Sequence, residues 1–240
     1  MRRLARIVVL MVVVLTVASP VAARSARARA LRLGLGTRAA ASLLLSGHPK
    51  PAWVRAAGKG AHPRTLLFPV RGGVFGRGFG DGEDGGHLAV DISAPMRTRV
   101  RAAAGGIVGY AGDGVSGYGN LVLIVHPGGW VTLYGHNDSL LVRAGQRVSR
   151  GQPVARLGQT GIARGPHLHF ELAVDGRLCD PSPLMRPLPA RRNGKSAVTR
   201  PLAWLGGPVP EGLRCEPRSG KSGSKGPTRT DPADAGPAGE

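Results

Sequence analysis

Four histidines and one aspartate that could bind a metal or move a proton lie in three short motifs of this 240-residue chain. The motifs are His87-Leu-Ala-Val-Asp91, Tyr134-Gly-His136 and Gly165-Pro-His-Leu-His169-Phe-Glu171. Two imidazoles and one carboxylate around a zinc ion leave its fourth position open, which is typical of a catalytic rather than a structural zinc. Such an ion lowers the pKa of a bound water to near ~7. Together the three motifs predict a metal site for hydrolysis, although any one of them could occur by chance.

The third motif lies in a predicted β-strand. From His167 to Leu172, polar and apolar side chains alternate, which is the period of a half-buried strand. One face then carries His167, His169 and Glu171, and the other carries Leu168, Phe170 and Leu172. Residues two apart on a strand separate their Cα atoms by roughly 6.6 Å. Both imidazoles could therefore bind one metal, or one could bind while the other lies beside it, and the spacing does not choose.

The first motif is also predicted to be extended. His87 and Asp91 are four residues apart, a spacing that suits one face of a helix or of a strand. Glycines precede the motif and Pro95 follows it shortly afterwards, and both features favour an extended segment over a helix.

In this order and spacing, the motifs resemble the lysostaphin-type (LytM-like) zinc endopeptidases, which cut peptide cross-bridges of bacterial cell walls. The resemblance covers roughly residues 66–186. It implies one zinc ion per chain, with three protein ligands: His87, Asp91 and His169. It also implies that His136 and His167 position or deprotonate the water, or stabilise the oxyanion. Of these two, His167 is expected to be closer to a general base.

Two positions depart from the family pattern, and three histidines lie outside it. Ala89 stands where the family usually has glycine, and a methyl group there is costly only if the backbone has positive φ. Arg97 stands where a small turn residue is usual. The remaining histidines are expected to face solvent: His48, His62 and His126.

The composition is strongly basic, with 33 Lys and Arg against 14 Asp and Glu. This excess predicts attraction to polyanions, including anionic polymers of the cell envelope. It does not indicate a specific nucleic-acid partner, because aromatic residues make up only 4% of the chain and form no basic motif. Much of the arginine lies outside the motif region and is predicted to form a solvated basic fringe.

The flanks of the motif region suggest an exported protein. Residues 1–23 combine a basic start, an apolar run too short for a comfortable membrane span and small residues at a cleavage site, which predicts a signal peptide. An uncleaved anchor is the alternative. If the signal peptide is cleaved, the mature form is expected to have no transmembrane span and to be secreted, periplasmic or otherwise in the cell envelope. Residues 24–64 are predicted to be a linker or pro-region, and residues 187–240 a largely disordered tail.

Residues 65–186 are predicted to form an all-β domain, a small antiparallel β-sandwich. Short apolar runs alternate with glycines, and residues 120–125 and 130–134 flank Pro-Gly-Gly as in a hairpin. The family resemblance implies a groove across one sheet. Loops Gly80–Gly86 and Gly112–Gly119 are expected to wall it. The only two cysteines, Cys179 and Cys215, could form a disulfide that ties the tail to the domain.

The leading functional hypothesis is an exported zinc metalloendopeptidase that hydrolyses peptide cross-links or stems of peptidoglycan. The alternative is a non-catalytic module that activates cell-wall amidases, since some members of the family have lost the metal ligands. No ligand position is lost here, which favours catalysis. A fragment of about residues 64–188 is expected to fold and to cleave a soluble peptide. The sequence leaves open the bond that is cut and the oligomeric state.

Overall fold

The computed structural model describes residues 20–46, 48–60, 62–82, 86–186 and 213–216. Most of the predicted signal peptide and tail therefore lies outside the described residues. Three helices come first: α1 Pro20–Leu33, α2 Thr37–Ser46 and α3 Pro51–Ala57. Twelve strands follow: β1 Leu66–Leu67, β2 Val74–Phe75, β3 Val90–Ser93, β4 Arg99–Arg101, β5 Gly106–Gly112, β6 Asn120–Val125, β7 Val131–Leu140, β8 Arg147–Val148, β9 Pro153–Leu157, β10 His167–Val174, β11 Arg177–Cys179 and β12 Met185–Arg186.

The strands form a mostly antiparallel fold, as predicted. Seven of them pair in the order β2-β3-β10-β7-β6-β5-β8. In addition, β11 pairs with β10, and β9 pairs with β4 on one side and with the second half of β7 on the other. A separate two-stranded parallel pair joins β1 to β12. Strand β7 is central to the site, because its first half lies between β6 and β10 and its second half pairs with β9.

The predicted hairpin is present. Strands β6 and β7 pair antiparallel from Val125 opposite Val131, and a single 3-10 turn over Pro127–Gly129 joins them. Gly128 has φ 77°, a left-handed conformation that glycine adopts without steric cost. Two further pairs of consecutive strands, β4 with β5 and β8 with β9, are each separated by a short glycine-containing connection.

One main core lies on the apolar face of β10. Leu168, Phe170 and Leu172 are fully buried there, and they pack with apolar residues from both ends of the domain. Each large apolar side chain that becomes fully buried contributes roughly 1.5–3 kcal/mol relative to exposure. Alternation along β10 therefore fixes its register, because a slip of one residue would bury the histidines and expose this row.

A second core lies on the opposite face of the sheet, under the three helices. Trp53 is 2% exposed, and its indole N–H donates a 2.8 Å hydrogen bond to the Leu33 carbonyl. Ala40 and Leu43 of α2 pack into the same cluster against β5 and β6. Most of residues 24–64 thus form helices that cover an apolar sheet face, and their assignment as a linker or pro-region stays a prediction.

Strand β6 explains why the helices dock where they do. All residues from Leu121 to Val125 are buried, because Val122 and Ile124 face the main core while Leu121, Leu123 and Val125 face the helices. A strand with an unbroken apolar run needs cover on both faces. The helices supply that cover on the second face.

The described residues include one disulfide and no helix of the length and apolarity that a membrane span requires. The disulfide joins Cys179 to Cys215, so the pairing that the sequence left open is present. It holds residues 213–216 against β11.

The expectation that His126 faces solvent is wrong. Its side chain is fully buried, with Nδ1 2.9 Å from the Gly105 carbonyl and Nε2 2.8 Å from Thr132 Oγ1. Thr132 Oγ1 lies 3.0 Å from the Tyr134 hydroxyl, which accepts from the Ala103 N–H. A neutral imidazole completes this chain of donors and acceptors, with its proton on Nδ1. Burial lowers the pKa of His126 to about 4, and the bond to Gly105 only partly opposes this shift.

Candidate metal centre

Strand pairing brings the three sequence motifs together. On β3 and β10, Asp91 lies directly opposite His169, and on the other side of β10, His169 lies opposite Gly135 of β7. His136 follows immediately, and His167 is the first residue of β10. Residues that are far apart in sequence thus become neighbours on one sheet face. Rigid strands hold them there.

Asp91 is the centre of the cluster. Its Oδ1 lies 3.2 Å from His87 Nε2, 3.0 Å from His169 Nδ1 and 3.7 Å from His167 Nε2. Potential ligand atoms of His87, Asp91 and His169 all lie within 4.8 Å of one another. The structure therefore brings the three predicted ligands to a single point.

Backbone carbonyls fix the rings of three histidines. Nδ1 of His87 lies 2.8 Å from the Gly78 carbonyl, and Nδ1 of His167 lies 2.8 Å from the Gly165 carbonyl. Nδ1 of His136 lies 2.8 Å from the Thr160 carbonyl. Because a carbonyl only accepts, each Nδ1 carries a proton, and in the neutral form of each ring the lone pair is on Nε2. A carbonyl behind a ring is the arrangement that orients metal-binding imidazoles.

His169 is held in the opposite orientation by a carboxylate. Its Nε2 lies 2.9 Å from Glu171 Oε1, which also accepts a 2.8 Å hydrogen bond from the Tyr118 hydroxyl. Nδ1 of His169 is therefore the nitrogen that faces Asp91. The Tyr118 ring packs edge-on against the His169 ring, with centroids 5.9 Å apart. Carboxylate, tyrosine and strand together leave this imidazole one orientation.

The donor set suits a zinc ion. His87 Nε2 is buried and makes no hydrogen bond among the described residues, although a buried polar atom normally has a partner. A metal held jointly by this nitrogen, Asp91 and His169 Nδ1 would satisfy it. A second group of donors, His136, His167 and His169, also lies within 4.8 Å and shares one member with the first. The chemistry of two imidazoles and one carboxylate matches an open zinc site.

Electrostatics favour a charged cluster. Burial opposes ionisation of Asp91, but its contacts with His169 and His87 outweigh burial and hold its pKa well below the usual range. Burial likewise opposes protonation of His169, but the hydrogen bonds and charges of Asp91 and Glu171 raise its pKa to about 9. Burial lowers the pKa of His136, and this keeps its imidazole neutral. A neutral His136 can accept a proton at Nε2, because its Nδ1 already donates to the Thr160 carbonyl.

The backbone has a positive φ at His136 and Arg97 but not at Ala89. His136 has φ 60°, a left-handed conformation that costs a residue other than glycine about 1–3 kcal/mol. Here β7 changes partner from β10 to β9, and the turn aims the imidazole at the cluster. Ala89 is fully buried and is not among the residues with positive φ, so its methyl group imposes no backbone strain. Arg97 does have positive φ, at 64°, and pairs with Asp138 at 3.3 Å.

A groove of 1410 Å³ crosses the sheet at the cluster. Its described lining consists of Gly76, Arg77, His87, Asp91, Ser93, His136, Ile162, Arg164, Gly165, Pro166, His167 and His169. The described residues of the predicted wall Gly80–Gly86, which are 80–82 and 86, are not among that lining, and neither is any residue of the predicted wall Gly112–Gly119. The loop before β10 forms the wall instead, with Ile162 82% exposed at its edge. Among the described lining residues, Asp91 is the only acidic one, and two are arginines.

Glu171 and Tyr118 were missed as site residues by sequence reasoning. Alternation did predict Glu171 on the same face as His169, which was a signal for a partner on the second ring nitrogen. Nothing in the local sequence around Tyr118 indicates its role, because its contact with Glu171 spans 53 residues.

Residues 85–181, which contain all five predicted site residues, match the model of Peptidase family M23. This segment, 97 of the 240 residues, is similar to Peptidase family M23, and we refer to it as the M23 domain. The resemblance to lysostaphin-type enzymes is thus confirmed at the level of the family. The M23 domain begins just before His87 and ends just after the disulfide cysteine of β11.

Three curated proteins are similar to the M23 domain and its flanks. The Escherichia coli "Uncharacterized lipoprotein YgeR" is 36% identical over 63% of this chain and 57% of its own length. The Escherichia coli "Murein hydrolase activator NlpD" is 39% identical over 53% of this chain and 32% of its own length. The "Cell division protein DipM" of Caulobacter vibrioides is 40% identical over 52% of this chain and 20% of its own length. The chain thus spans less than two thirds of the length of each.

Among solved structures, a putative peptidase M23 from Pseudomonas aeruginosa is 28% identical, covers 60% of this chain and 58% of its own, and has a TM-score of 0.49. Lysostaphin from Staphylococcus simulans is 27% identical, and the match covers 52% of this chain and 53% of the lysostaphin chain, with a TM-score of 0.46.

Proposed function

We propose that this protein is an exported zinc metalloendopeptidase that hydrolyses peptide bonds in the cross-links or stems of peptidoglycan. The observation that carries the proposal is the complete cluster of five residues. Asp91 Oδ1 is shared by His87 Nε2 and His169 Nδ1, and two further histidines present free Nε2 atoms beside it. His87, Asp91 and His169 would hold the metal.

When bound, zinc would supply Lewis-acid activation of water and of the scissile carbonyl. His167 Nε2 is the free ring nitrogen nearer to Asp91, at 3.7 Å from its Oδ1, and suits a general base that takes a proton from the attacking water. The ring of His136 lies 4.8 Å from that of His167. Because its Nδ1 donates to the Thr160 carbonyl, its neutral Nε2 is an acceptor and suits orienting the attacking water, and it would stabilise the developing oxyanion only after Nε2 has taken up a proton. Carbonyls behind both rings hold them ready without reorganisation.

The groove suits an extended peptide with at least one carboxylate. It is open to solvent along the sheet, and Arg77 and Arg164 are exposed among its lining residues. Peptidoglycan stem peptides supply such carboxylates. The overall excess of basic residues favours approach to anionic envelope polymers. Similarity to lipoproteins and murein hydrolase activators supports a location in the cell envelope.

Activation of another murein hydrolase is the second candidate function. It is favoured by the names of two relatives, a murein hydrolase activator and a cell division protein. An activator needs the groove as a binding surface and has no need of a metal or of a general base. The histidine orientations described above would then have no function to preserve them.

One experiment separates the two functions. Purified peptidoglycan sacculi are incubated with the zinc-loaded protein alone, and the released fragments are identified by mass spectrometry. New peptide termini that disappear in His167→Ala support the endopeptidase. Release only when a murein hydrolase is added, unchanged in His167→Ala, would establish the activator and refute the enzyme.

A further inference from the structure

The short segment Leu213–Glu216 is fixed to the domain although it is distant in sequence. Its Cys215 forms the disulfide with Cys179 of β11, and Leu213 is buried in the main core. Backbone hydrogen bonds flank the disulfide: Asp180 N to Arg214 O and Glu216 N to Leu178 O, each 2.8 Å. We call residues 213–216 the clip. It is held both covalently and by pairing, so its side chains have defined positions.

Arg214 of the clip reaches the loop that follows β2. Its guanidinium donates a hydrogen bond to the Phe79 carbonyl and lies over the Phe79 ring, with Cζ 5.3 Å from the ring centroid. It also lies 3.3 Å from the Asp180 carboxylate. The Arg214 side chain of that ion pair is 62% exposed, so solvent screens the pair and it contributes little. The contacts with Phe79 are the ones that tie the clip to the loop.

The same loop holds the metal-site residue His87. The Gly78 carbonyl accepts from His87 Nδ1 at 2.8 Å, and Gly80 N donates to the His87 carbonyl at 2.7 Å. These two groups stand immediately before and after Phe79. One residue, Phe79, therefore separates the contact with Arg214 from both contacts that orient His87.

We propose that Arg214 is a positioning residue for His87 and that the Cys179–Cys215 disulfide sets its place. The inference rests on the proposed zinc site. The clip fixes Phe79, Phe79 fixes the carbonyl of Gly78, and that carbonyl fixes the ring whose Nε2 binds the metal. Loss of a group that orients a metal ligand typically lowers metal affinity by about 10–100-fold. Because Arg214 acts through one further residue, the expected loss is on the order of tenfold, at the lower end of this range.

The test measures zinc affinity of the full chain by competition with a chromogenic chelator. Arg214→Ala and the pair Cys179→Ser with Cys215→Ser should both bind zinc about tenfold more weakly. Arg214→Lys should recover part of the affinity, because it keeps a charged donor but loses the planar fork. Asp180→Asn removes the charge of the ion pair, while its remaining oxygen can still accept the hydrogen bond from Ser182 N, so this variant should bind zinc as tightly as the unchanged protein. The cobalt-substituted protein should show an altered absorption spectrum in Arg214→Ala.

Structural and positioning roles are separated by folding and by zinc dependence. Thermal unfolding identifies any variant that is not folded at the assay temperature, and exposed Arg214 is the position least prone to that outcome. Activity of Arg214→Ala should fall at limiting zinc and return with excess zinc. A folded Arg214→Ala with unchanged zinc affinity and cobalt spectrum would overturn the proposal. Absence of zinc binding by the unchanged protein would instead refute the proposed function.

Discussion

The carboxylate of Glu171 gives the sharpest test of how the metal centre is built. Glu171 is 4% exposed, and its Oε1 accepts from both His169 Nε2 and the Tyr118 hydroxyl. Glu171→Gln keeps the size and one accepting oxygen but removes the negative charge. Partners of this kind contribute about 10–100-fold to metal affinity, or roughly 1.4–2.8 kcal/mol. Since one hydrogen bond to His169 can survive, we expect a loss of about tenfold for Glu171→Gln.

Two further variants bracket that value. Glu171→Ala leaves His169 Nε2 without its acceptor and opens a cavity, so its zinc affinity should fall by about a hundredfold. Tyr118→Phe keeps the charge and removes only the second hydrogen bond, and its loss should be smaller than that of Glu171→Gln. The assay is equilibrium competition for zinc at fixed pH, with circular dichroism as the check of folding. Equal affinity in Glu171→Gln and the unchanged protein would refute the role of the carboxylate, as would a larger loss in Tyr118→Phe.

Four further predictions concern chemistry, stability, pH and specificity. His167→Ala or His136→Ala should retain zinc and lower turnover by roughly 10²–10⁴; loss of zinc by elemental analysis in His167→Ala would instead make it a ligand. Trp53→Ala should lower the free energy of unfolding by about 3–5 kcal/mol, and an unchanged denaturant midpoint would show that the helices contribute no stability. His126 has a folded pKa of about 4, below its unfolded value. The unfolded state therefore binds the proton first, and stability should fall by up to about 3 kcal/mol as pH drops from about 6.5 to about 4; an equal fall in His126→Gln would contradict this. Arg164→Gln should slow cleavage of a peptide with a carboxylate more than cleavage of its neutral amide, and an equal effect on both would exclude charge recognition.

The site was more predictable from sequence than its surroundings. A period of two over residues 167–172 defined which side chains share the histidine face, and the structure has the same face. The hairpin of β6 and β7 was also readable, because Pro-Gly-Gly separates two apolar runs. These are local signals, and local geometry suffices to interpret them. These local signals predicted the five site residues, but they did not predict the hydrogen bonds that orient them.

Contacts between distant segments were not readable in the same way. The role of Tyr118 depends on where its loop meets β10, and the burial of His126 depends on a carbonyl 21 residues before it. Among the described residues, the loop of residues 162–166 lines the groove, and no residue of the two glycine-rich loops does. Glycine content describes what a loop can do and not where it lies. The unbroken apolar run of β6 does indicate one distant contact, because a strand with such a run has to be packed on both faces of the sheet.

The helices also change how the basic fringe has to be tested. Not all of its arginines are free in solvent, since Arg29 donates a 2.7 Å hydrogen bond to the Gly145 carbonyl. A fragment of residues 64–188 would lose α1–α3, expose the apolar face of β6 and remove Cys215 along with the charge. Reduced activity of that fragment on sacculi would therefore not isolate electrostatic attraction. Substitution of Arg27 and Arg32, which are exposed on α1, changes the charge while leaving the packed face intact. An effect of those substitutions that shrinks as salt rises would be electrostatic, because mobile ions screen exposed charges beyond about 8 Å at physiological salt.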